Sequence, residues 1–578
     1  MNTIRKIFEK EKVIICLIVI ISLFPLFTPG FFYSHDGVIH LFRTVGAYEN
    51  IINFDFLNRI YYNMIDGLGY GWGIFYPPIS AALPAIFMVL GFSLFTAEKL
   101  FIIVTSILAG LFSYKLFNEL YKNKFCSLLA SIIYILAPFK MSQIIVRGAF
   151  GEILLFTFLP LVILGLIKII NKEYKYKYYF IIGVCGIVYS HIISTVYTTI
   201  FVLIFLLLNI KCIVNKKTLF ELGKTVVIIV LLCLPILVPL AEHQIMNIYN
   251  SNSMMGGNVV DSIVHFGQLI GSSMDIGETG ENTSYLSNKK EMSYMIGLTP
   301  ILILTLLPFA FERIKQKGEK SKIIKYSILL LITILMMTTP FIWNKVGIID
   351  VIQFPWRLLT FSVLFISIIA GYVLKSLLTK ENEYSFLLFI LGFSFIFIYF
   401  VGGQIRFAKT LNAEFNFNNQ ELSKLDDHWS IANSLGYSHD YLPKELTTDI
   451  LKVRGTDIKV IDGTANIINM NKEKNILNAD IATKFENTNL ELPYIYYKGY
   501  TIKIDGIKTD YNISDDGFIK VNIKDAGSHT IYVKYTGTIL YNICDLIAAI
   551  VLIVSIINVI KSKKSIKNRK EHEIKLLS

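Results

Sequence analysis

The stretch "FFYSHDGVIHLFR" brings several ionisable side chains together directly after a long apolar run. Asp36 follows His35, and His40 and Arg43 come a few residues later. A carboxylate beside a bilayer costs free energy to desolvate, so such groups tend to be solvated, paired or functional. The Asp36 side chain can cap a following helix, or bind a metal together with the imidazoles. Because the sequence offers no second ligand cluster at fixed spacing, a metal is the less favoured of these readings.

Four more segments place ionisable or aromatic residues at the ends of apolar runs. They are "FKMSQIIVRGAFGE" with Arg147 and Glu152, "YSHIIS" with His191, a segment with Glu242 and His243, and "IDVIQFPWRLLTF" with Trp356 and Arg357. Each has a structural alternative, because carboxylates stabilise helix N-termini and amphipathic side chains anchor membrane interfaces. "GYGWG" lacks the strand-to-helix context that a phosphate-binding loop requires. Residue types alone therefore do not show whether these side chains take part in a reaction or anchor the protein at the membrane interface.

The composition indicates a polytopic membrane protein with a soluble part. Of 578 residues, 54% are hydrophobic and only 17% are charged, where soluble domains carry roughly a quarter. The net charge is +12, but Lys and Arg gather in short loops and in the tail "KSKKSIKNRKEHEIK". That distribution is typical of cytoplasmic loops, so no nucleic-acid partner is needed. The six cysteines lie in or beside apolar segments and suggest no disulfide framework or metal site.

Apolar runs of about 20 residues predict the membrane spans. We predict twelve: 13–29, 98–120, 125–140, 151–170, 178–192, 193–210, 223–241, 294–311, 326–341, 356–378, 384–401 and 538–560. With both termini inside, every basic loop faces the cytoplasm, and all five segments with candidate residues lie at the outer face. The apolar segment 76–95 is interpreted as juxtamembrane or re-entrant, because counting it as a span would invert the later loops and its prolines disfavour a regular helix.

These spans define the domains. Residues 1–401 form the transmembrane domain, with external loops 30–97 and 242–293. Residues 402–537 form an external, mostly-β domain resembling a β-sandwich, since alternating runs such as "TIKIDGIK" and "HTIYVKYTG" are separated by "DG", "DDG" and "DAG". Its early part, 405–445, is predicted to form short helices. Residues 538–560 are the last transmembrane helix, and 561–578 are a basic cytoplasmic tail.

The segments "SHDGVIHLFR", "GWGIFYPP", "RGAFGE", "YSHIIS" and "IQFPWRLL" together carry a family resemblance. The chain resembles the GT-C glycosyltransferases, a superfamily that includes oligosaccharyltransferases, protein O-mannosyltransferases and lipid A aminoarabinose transferases. It is more closely similar to bacterial membrane proteins labelled "6-pyruvoyl-tetrahydropterin synthase-related", and it is also similar to YfhO-type membrane proteins. The pterin label is not taken as an activity, because the chain offers neither a soluble catalytic domain nor a clustered three-histidine site.

The resemblance implies an enzyme that moves a sugar from a polyprenyl phosphate to an extracytoplasmic acceptor, which is a glycan, a lipid or a protein. It further implies a bacterial plasma membrane location, in contact with membrane lipids. The implied residue roles are catalytic for Asp36 and Glu152, with Asp36 as general base, donor-phosphate binding for Arg357, Arg147 and His191, and support or substrate contact for His35, His40, Arg43, Tyr76, Glu242, His243 and Trp356. Metal-binding members carry an acidic pair where this chain has only Glu152, so no metal ligand is assigned and a divalent metal stays open.

Two other functions compete with this one. A flippase or transporter for lipid-linked saccharides predicts ionisable residues near mid-span and discontinuous helices in repeated halves. A non-catalytic assembly or sensor protein predicts that the β-domain is the working part. Replacing Asp36 by Asn separates them, because only a transferase should lose its activity.

Overall fold

The computed structural model describes residues 10–27, 30–31, 34–250, 262–271, 294–340, 354–379, 382–396 and 440–577. Most of these residues are helical, and a domain of antiparallel strands follows toward the C-terminus. Short helices were predicted over residues 405–445. Residues 405–439 of that segment lie outside the described residues.

The helices differ widely in length. They are α1 (Lys10–Ser22), α2 (Gly37–Ile52), α3 (Ile79–Val89), α4 (Leu94–Tyr121), α5 (Lys124–Ile135), α6 (Pro138–Ser142), α7 (Phe150–Ile170), α8 (Tyr178–Val188), α9 (Ile192–Leu208), α10 (Lys216–Met246), α11 (Leu298–Thr305), α12 (Leu307–Arg313), α13 (Lys317–Thr338), α14 (Leu359–Leu377), α15 (Glu383–Ile396), α16 (Thr448–Arg454) and α17 (Ile539–Leu577). Short helical turns are Phe24–Phe27, Trp72–Phe75, Tyr174–Tyr176, Ile210–Ile213, Phe266–Ile270 and Pro355–Leu358. A π-helical turn, Gln143–Arg147, continues α6.

Side-chain caps explain where several helices begin. Ser93, Asn123 and Asn215 precede α4, α5 and α10, and each side chain accepts a hydrogen bond from a backbone N–H of the first turn. Such caps satisfy backbone donors that the helix itself leaves without partners. At the other end, α10 continues to Met246, inside the predicted external loop 242–293. Glu242 and His243 therefore lie in the last turn of a long helix.

Within the described residues, six helices are long and apolar enough to cross a membrane: α4, α7, α10, α13, Pro355–Leu377 and the Ile539–Lys561 part of α17. Counting α5 with Pro138–Arg147 as one span bent by 44° makes seven. All six coincide with predicted spans, whereas the described parts of the other six predicted spans form shorter, interrupted or bent helices. In α17 only 11% of the most apolar window is buried inside the protein. Long apolar helices with exposed faces indicate a membrane protein.

The apolar segment 76–95 contains α3, a helix of 11 residues with Pro84 inside it. At 1.5 Å per residue α3 is about 16 Å long, which is short of the roughly 30 Å hydrocarbon core. The chain then turns at Gly91, whose φ is +95°, before Ser93 caps α4. This geometry is compatible with the predicted juxtamembrane element, whose placement in a bilayer stays a prediction.

The C-terminal domain consists of two antiparallel sheets, as the alternating runs and turn residues predict. Its strands are β1 (Lys459–Asp462), β2 (Ala465–Glu473), β3 (Ile476–Thr483), β4 (Thr488–Ile495), β5 (Tyr500–Ile504), β6 (Ile507–Thr509), β7 (Asn512–Ile513), β8 (Phe518–Ile523) and β9 (Gly527–Tyr535). One sheet has the order β1-β4-β8-β7 and the other β2-β3-β9-β5-β6. Asp505 and Gly506, with φ of +52° and +79°, form the two-residue turn between β5 and β6. Positive φ at both positions matches the strand twist, which is why "DG" occurs there.

The first loop and the β-domain share one hydrophobic core, separate from that of the helices. Gly71 lies so close to Tyr497 that a Cβ would come within 2.5 Å of its ring. The Tyr70 hydroxyl donates to the Asp440 carbonyl at 2.6 Å, and Phe75 stacks on Tyr441 with ring centroids 4.9 Å apart. The β-domain is therefore docked on the same loop that carries Asp36 and Tyr76.

Candidate functional site

Four charged side chains, which we call the ion-pair chain, link three distant parts of the sequence. Arg147 Nη2 lies 3.3 Å from Asp36 Oδ2, and Arg147 Nη1 lies 2.7 Å from Glu152 Oε1. Arg357 Nε donates to the same Glu152 oxygen at 2.9 Å. The side chains of Arg147, Glu152 and Arg357 are 6%, 6% and 9% exposed, whereas that of Asp36 is 39% exposed. Asp36 is thus the end of the ion-pair chain that solvent or a ligand can reach.

Backbone pairing holds Asp36 beside Arg147. The N–H groups of His35 and Asp36 donate to the carbonyls of Val146 and Arg147 at 3.1 and 2.7 Å. Asp36 occupies the N-cap position of α2, but its side chain makes no capping hydrogen bond. The capping alternative for this carboxylate is therefore wrong, and its side chain bonds to Arg147 instead.

The glycines of "RGAFGE" allow this close packing. Gly148 ends the π-helical turn with φ +61°, and a Cβ there would lie 2.9 Å from the backbone N of Gly37. A Cβ on Gly151 would lie 2.6 Å from the Tyr76 hydroxyl and 2.9 Å from the Ser190 carbonyl. π-Helical turns occur frequently at functional sites, where they redirect a side chain. Here the π-helical turn points Arg147 at two carboxylates.

Replacing Gly148 by Ala is expected to destabilise the protein by about 1–3 kcal/mol, because the left-handed backbone and the approach of Gly37 both oppose a Cβ. The thermal midpoint of the purified protein in detergent measures this. Gly392 in α15 is the matched control, since a Cβ there meets nothing within 4 Å. Equal midpoints for the two alanine variants would contradict the close packing.

Arg43, His40 and Tyr76 form a second layer next to the ion-pair chain. The Arg43 guanidinium lies 3.7 Å from the centre of the Tyr76 ring and donates to the Pro77 carbonyl at 2.9 Å. Arg43 Nη1 also bonds His40 Nδ1 at 3.1 Å. Burial and, next, the nearby Arg43 guanidinium hold the pKa of His40 well below its usual value. His40 is therefore neutral at physiological pH and supports Tyr76 through Arg43.

His191 approaches this layer from another element. It precedes α9, where its Nδ1 accepts a hydrogen bond from the Ser194 N–H at 3.2 Å. Its ring centroid lies 6.0 Å from that of Tyr76, and its Cδ2 lies next to Gly151. The predicted interfacial "YSHIIS" turn is thus packed against "RGAFGE", and His191 is buried.

Several buried donors around Arg147 have no hydrogen-bond partner within the described part of the chain. They are Gln143 Nε2, Arg147 Nε and Trp356 Nε1. Arg147 and Trp356 are themselves in contact, with the guanidinium 4.5 Å from the ring centre. Because buried polar groups are normally paired, this cluster of donors is a candidate position for a hydrogen-bond acceptor. Gln143 was not predicted as a site residue from the sequence. Its spacing of four residues from Arg147 within one helical turn nevertheless predicts that the two side chains are in contact.

Glu242 and His243 lie in a different cluster, where α10 meets the β-domain and α17. Glu242 bonds Lys498 at 2.8 Å and accepts a hydrogen bond from the Tyr541 hydroxyl. His243 Nδ1 bonds the Pro239 carbonyl at 2.8 Å, and its ring contacts Phe75. These contacts give the pair a docking role, and the structure does not bring it to the ion-pair chain.

Two buried ionisable residues were not predicted as site residues, because they lie in or beside apolar runs of the sequence. Glu98 in α4 accepts a hydrogen bond from Thr44 Oγ1 at 2.5 Å. Lys140 in α6 donates to Ser106 Oγ at 3.2 Å. Both residues are almost completely buried. Across the described ranges, no three His, Cys, Asp or Glu residues are grouped as metal ligands would be.

Comparison with known proteins adds little about function. No family model matches the chain. An "Uncharacterized protein" of Lactococcus lactis subsp. cremoris (strain MG1363) is 26% identical over 356 residues, which covers 57% of this chain and 54% of that protein. The chain thus matches about half the length of that relative.

Proposed function

We propose that this protein is a GT-C-like membrane glycosyltransferase that uses a polyprenyl-phosphate sugar. The observation that carries the proposal is the exposed Asp36 carboxylate at the open end of a buried ion-pair chain containing two guanidiniums. We place it in a bacterial plasma membrane with twelve spans, both termini inside, and the ion-pair chain and β-domain outside. The acceptor is an extracytoplasmic glycan, lipid or protein.

In this reaction an acceptor hydroxyl displaces the lipid phosphate at the anomeric carbon. A bond forms between the acceptor oxygen and that carbon, and the bond to the phosphate oxygen breaks. Asp36 accepts the hydroxyl proton as general base, which is the role its exposure permits. The leaving phosphate keeps the bonding electron pair, and its negative charge needs preorganised donors.

The donors for that phosphate are the buried groups around Arg147. The Nε of Arg147 and the Nε1 of Trp356 have no partner among the described residues, and Arg357 contributes a second guanidinium. Guanidiniums bind phosphate oxygens through parallel hydrogen bonds. Glu152 holds both guanidiniums by one oxygen, so we assign it a positioning role instead of a catalytic one. His191, Tyr76 and Arg43 then support the sugar side of the site.

The test is lipid and glycan profiling of a strain in which the gene is deleted. A transferase predicts loss of one envelope glycan modification together with accumulation of a polyprenyl-phosphate sugar. An unchanged glycan profile in the deletion strain contradicts the proposal.

Replacing Arg357 by Lys is expected to weaken donor use by about tenfold or more, since one ammonium cannot reproduce a guanidinium that serves Glu152 and a phosphate together. The ratio kcat/KM for the lipid-phosphate sugar measures the loss. Arg313, an exposed residue at the end of α12, provides the matched control Arg313→Lys. Equal kinetics in both variants would count against a phosphate role for Arg357.

The orientation predicts which thiols are reached from outside intact cells. Lys508, in the exposed β6 strand, is replaced by Cys. All native cysteines are removed from this variant except Cys212, which is exposed. A membrane-impermeant maleimide should label position 508 directly, and Cys212 only after permeabilisation. The turn between β2 and β3 is a poorer labelling site, because Asn475 is buried there and donates to Asp55 at 2.7 Å. The reverse pattern of labelling would invert the proposed topology.

One observation favours the competing flippase. The ammonium of Lys140 reaches Ser106 near the middle of α4, so an ionisable group lies away from the helix ends. Such groups mark pathways in transporters. A flippase keeps its activity when Asp36 becomes Asn and loses it when Lys140 becomes Met, whereas a transferase shows the opposite.

A further inference from the structure

A cavity on the side of the helical domain plays no part in the proposed reaction. It has a volume of about 870 Å³ and lies between α8, α10 and α17. A second cavity of about 630 Å³ adjoins it, and the two share Lys177, Ile228 and Asn558 as lining residues. We call the two cavities together the lateral groove. Its walls are mainly apolar side chains of these three helices.

The basic residues of the lateral groove are confined to one end. Lys175 and Lys177 line it just before α8, and Lys224 lines it on α10. Lys177 pairs with Glu221 at 2.7 Å. Three ammonium groups against one carboxylate leave a surplus of two positive charges (3 − 1) at this end. The opposite end of α8 leads to Ser190 and the candidate site, so the basic end lies away from the ion-pair chain.

The length of the lateral groove matches one leaflet of a bilayer. Measured from the basic end, its lining residues along α8 run from Tyr178 to Tyr189, a distance of about 17 Å at 1.5 Å per residue. Half of the hydrocarbon core is roughly 15 Å. A lipid whose head group lies at the lysines therefore has chains of suitable length for the apolar walls.

We infer that the lateral groove binds one anionic glycerophospholipid, with its phosphate at Lys175 and Lys224 and its acyl chains against the apolar walls. Basic pockets between membrane helices recognise anionic head groups in this way. A polyprenyl chain is single, and its phosphate would belong at the opposite end, by Arg357. The inference requires the helices to lie in a bilayer, but it does not depend on the transferase activity.

Gly223 offers a steric test of this inference. It lines the second cavity, and a Cβ there would meet nothing within 4 Å. Gly223→Trp therefore fills the lateral groove without a backbone clash, and the substitution favours the helix. Gly392→Trp is the matched control on α15, where a Cβ also meets nothing within 4 Å. Lys175→Glu/Lys224→Glu reverses the basic end, with Lys503→Glu/Lys508→Glu on the exposed hairpin as its charge-matched control.

Native mass spectrometry of the full-length protein is performed from micelles containing equal amounts of dioleoyl phosphatidylglycerol and dioleoyl phosphatidylcholine. The wild type should retain one phosphatidylglycerol, preferred on the order of tenfold over phosphatidylcholine. Lys175→Glu/Lys224→Glu should bring the preference close to one, and Gly223→Trp should lower occupancy by both lipids. Both control variants should behave as the wild type.

Three results would overturn the inference. One is equal retention of the two lipids by the wild type, and another is an unchanged preference in Lys175→Glu/Lys224→Glu. The third is displacement of phosphatidylglycerol by an equal amount of a polyprenyl phosphate, which would assign the lateral groove to the sugar donor. If Gly223→Trp fails to fold, the lysine variant still decides, because both lysines are exposed.

Discussion

Replacing Asp36 by Asn should lower sugar transfer by about two to four orders of magnitude, the usual contribution of a positioned general base. Asparagine keeps the size of the side chain and can still accept a hydrogen bond from Arg147. It lacks the basicity to take the acceptor proton. The deletion strain, complemented with equal membrane levels of wild type or variant, should show the loss as missing glycan and accumulated donor lipid.

The stability of Asp36→Asn should change little, which separates a catalytic from a structural role. The carboxylate is 39% exposed, and ion pairs with an exposed partner contribute only about 0–1 kcal/mol. Asp515, exposed in the turn before β8, supplies the control Asp515→Asn, which should complement fully. Complementation by Asp36→Asn at wild-type level would rule out the transferase mechanism and favour the flippase or assembly alternative.

Replacing Glu152 by Leu should destabilise the protein by about 3–5 kcal/mol, because removing one partner of a buried ion pair leaves its charges uncompensated. Glu152 pairs with both Arg147 and Arg357 while only 6% exposed. Among the described residues, Asp36 would then be the remaining carboxylate partner of Arg147. The change is measured as the thermal midpoint of the purified protein, with size-exclusion chromatography used to monitor the fraction that stays folded.

The control for Glu152→Leu is Glu312→Leu at an exposed position of α12, which should leave the midpoint nearly unchanged. Glu152→Gln serves as the conservative variant, since an amide keeps one oxygen acceptor for the guanidiniums. It should restore part of the stability and part of kcat together, as a positioning residue does. A stable Glu152→Gln with transfer as low as that of Asp36→Asn would return Glu152 to a catalytic role.

Much of the architecture could be predicted from local patterns. Continuous apolar runs predict α4, α7 and α17, because a helix in hydrocarbon must satisfy its own backbone and cover it with apolar side chains. Alternation with "DG" turns predicts hairpins such as β5–β6, because strand faces alternate at every residue. Helices that are bent or shorter than a bilayer, such as α5 and α8, are not distinguished by composition. Breaks depend on which backbone groups find partners in neighbouring helices, and apolar content does not encode that.

By itself, the sequence determined that Asp36, Arg147, Glu152 and Arg357 are charged groups at the ends of apolar runs, and so candidates for chemistry. Only the tertiary structure decided that they meet, because Asp36 and Arg357 are 321 positions apart (357 − 36) and no periodicity spans that distance. It also decided how deeply each of them is buried. Glu152 is buried between two guanidiniums, whereas the carboxylate of Asp36 is partly exposed. Spatial proximity and depth of burial arise from packing between distant elements, so neither can be read from local spacing.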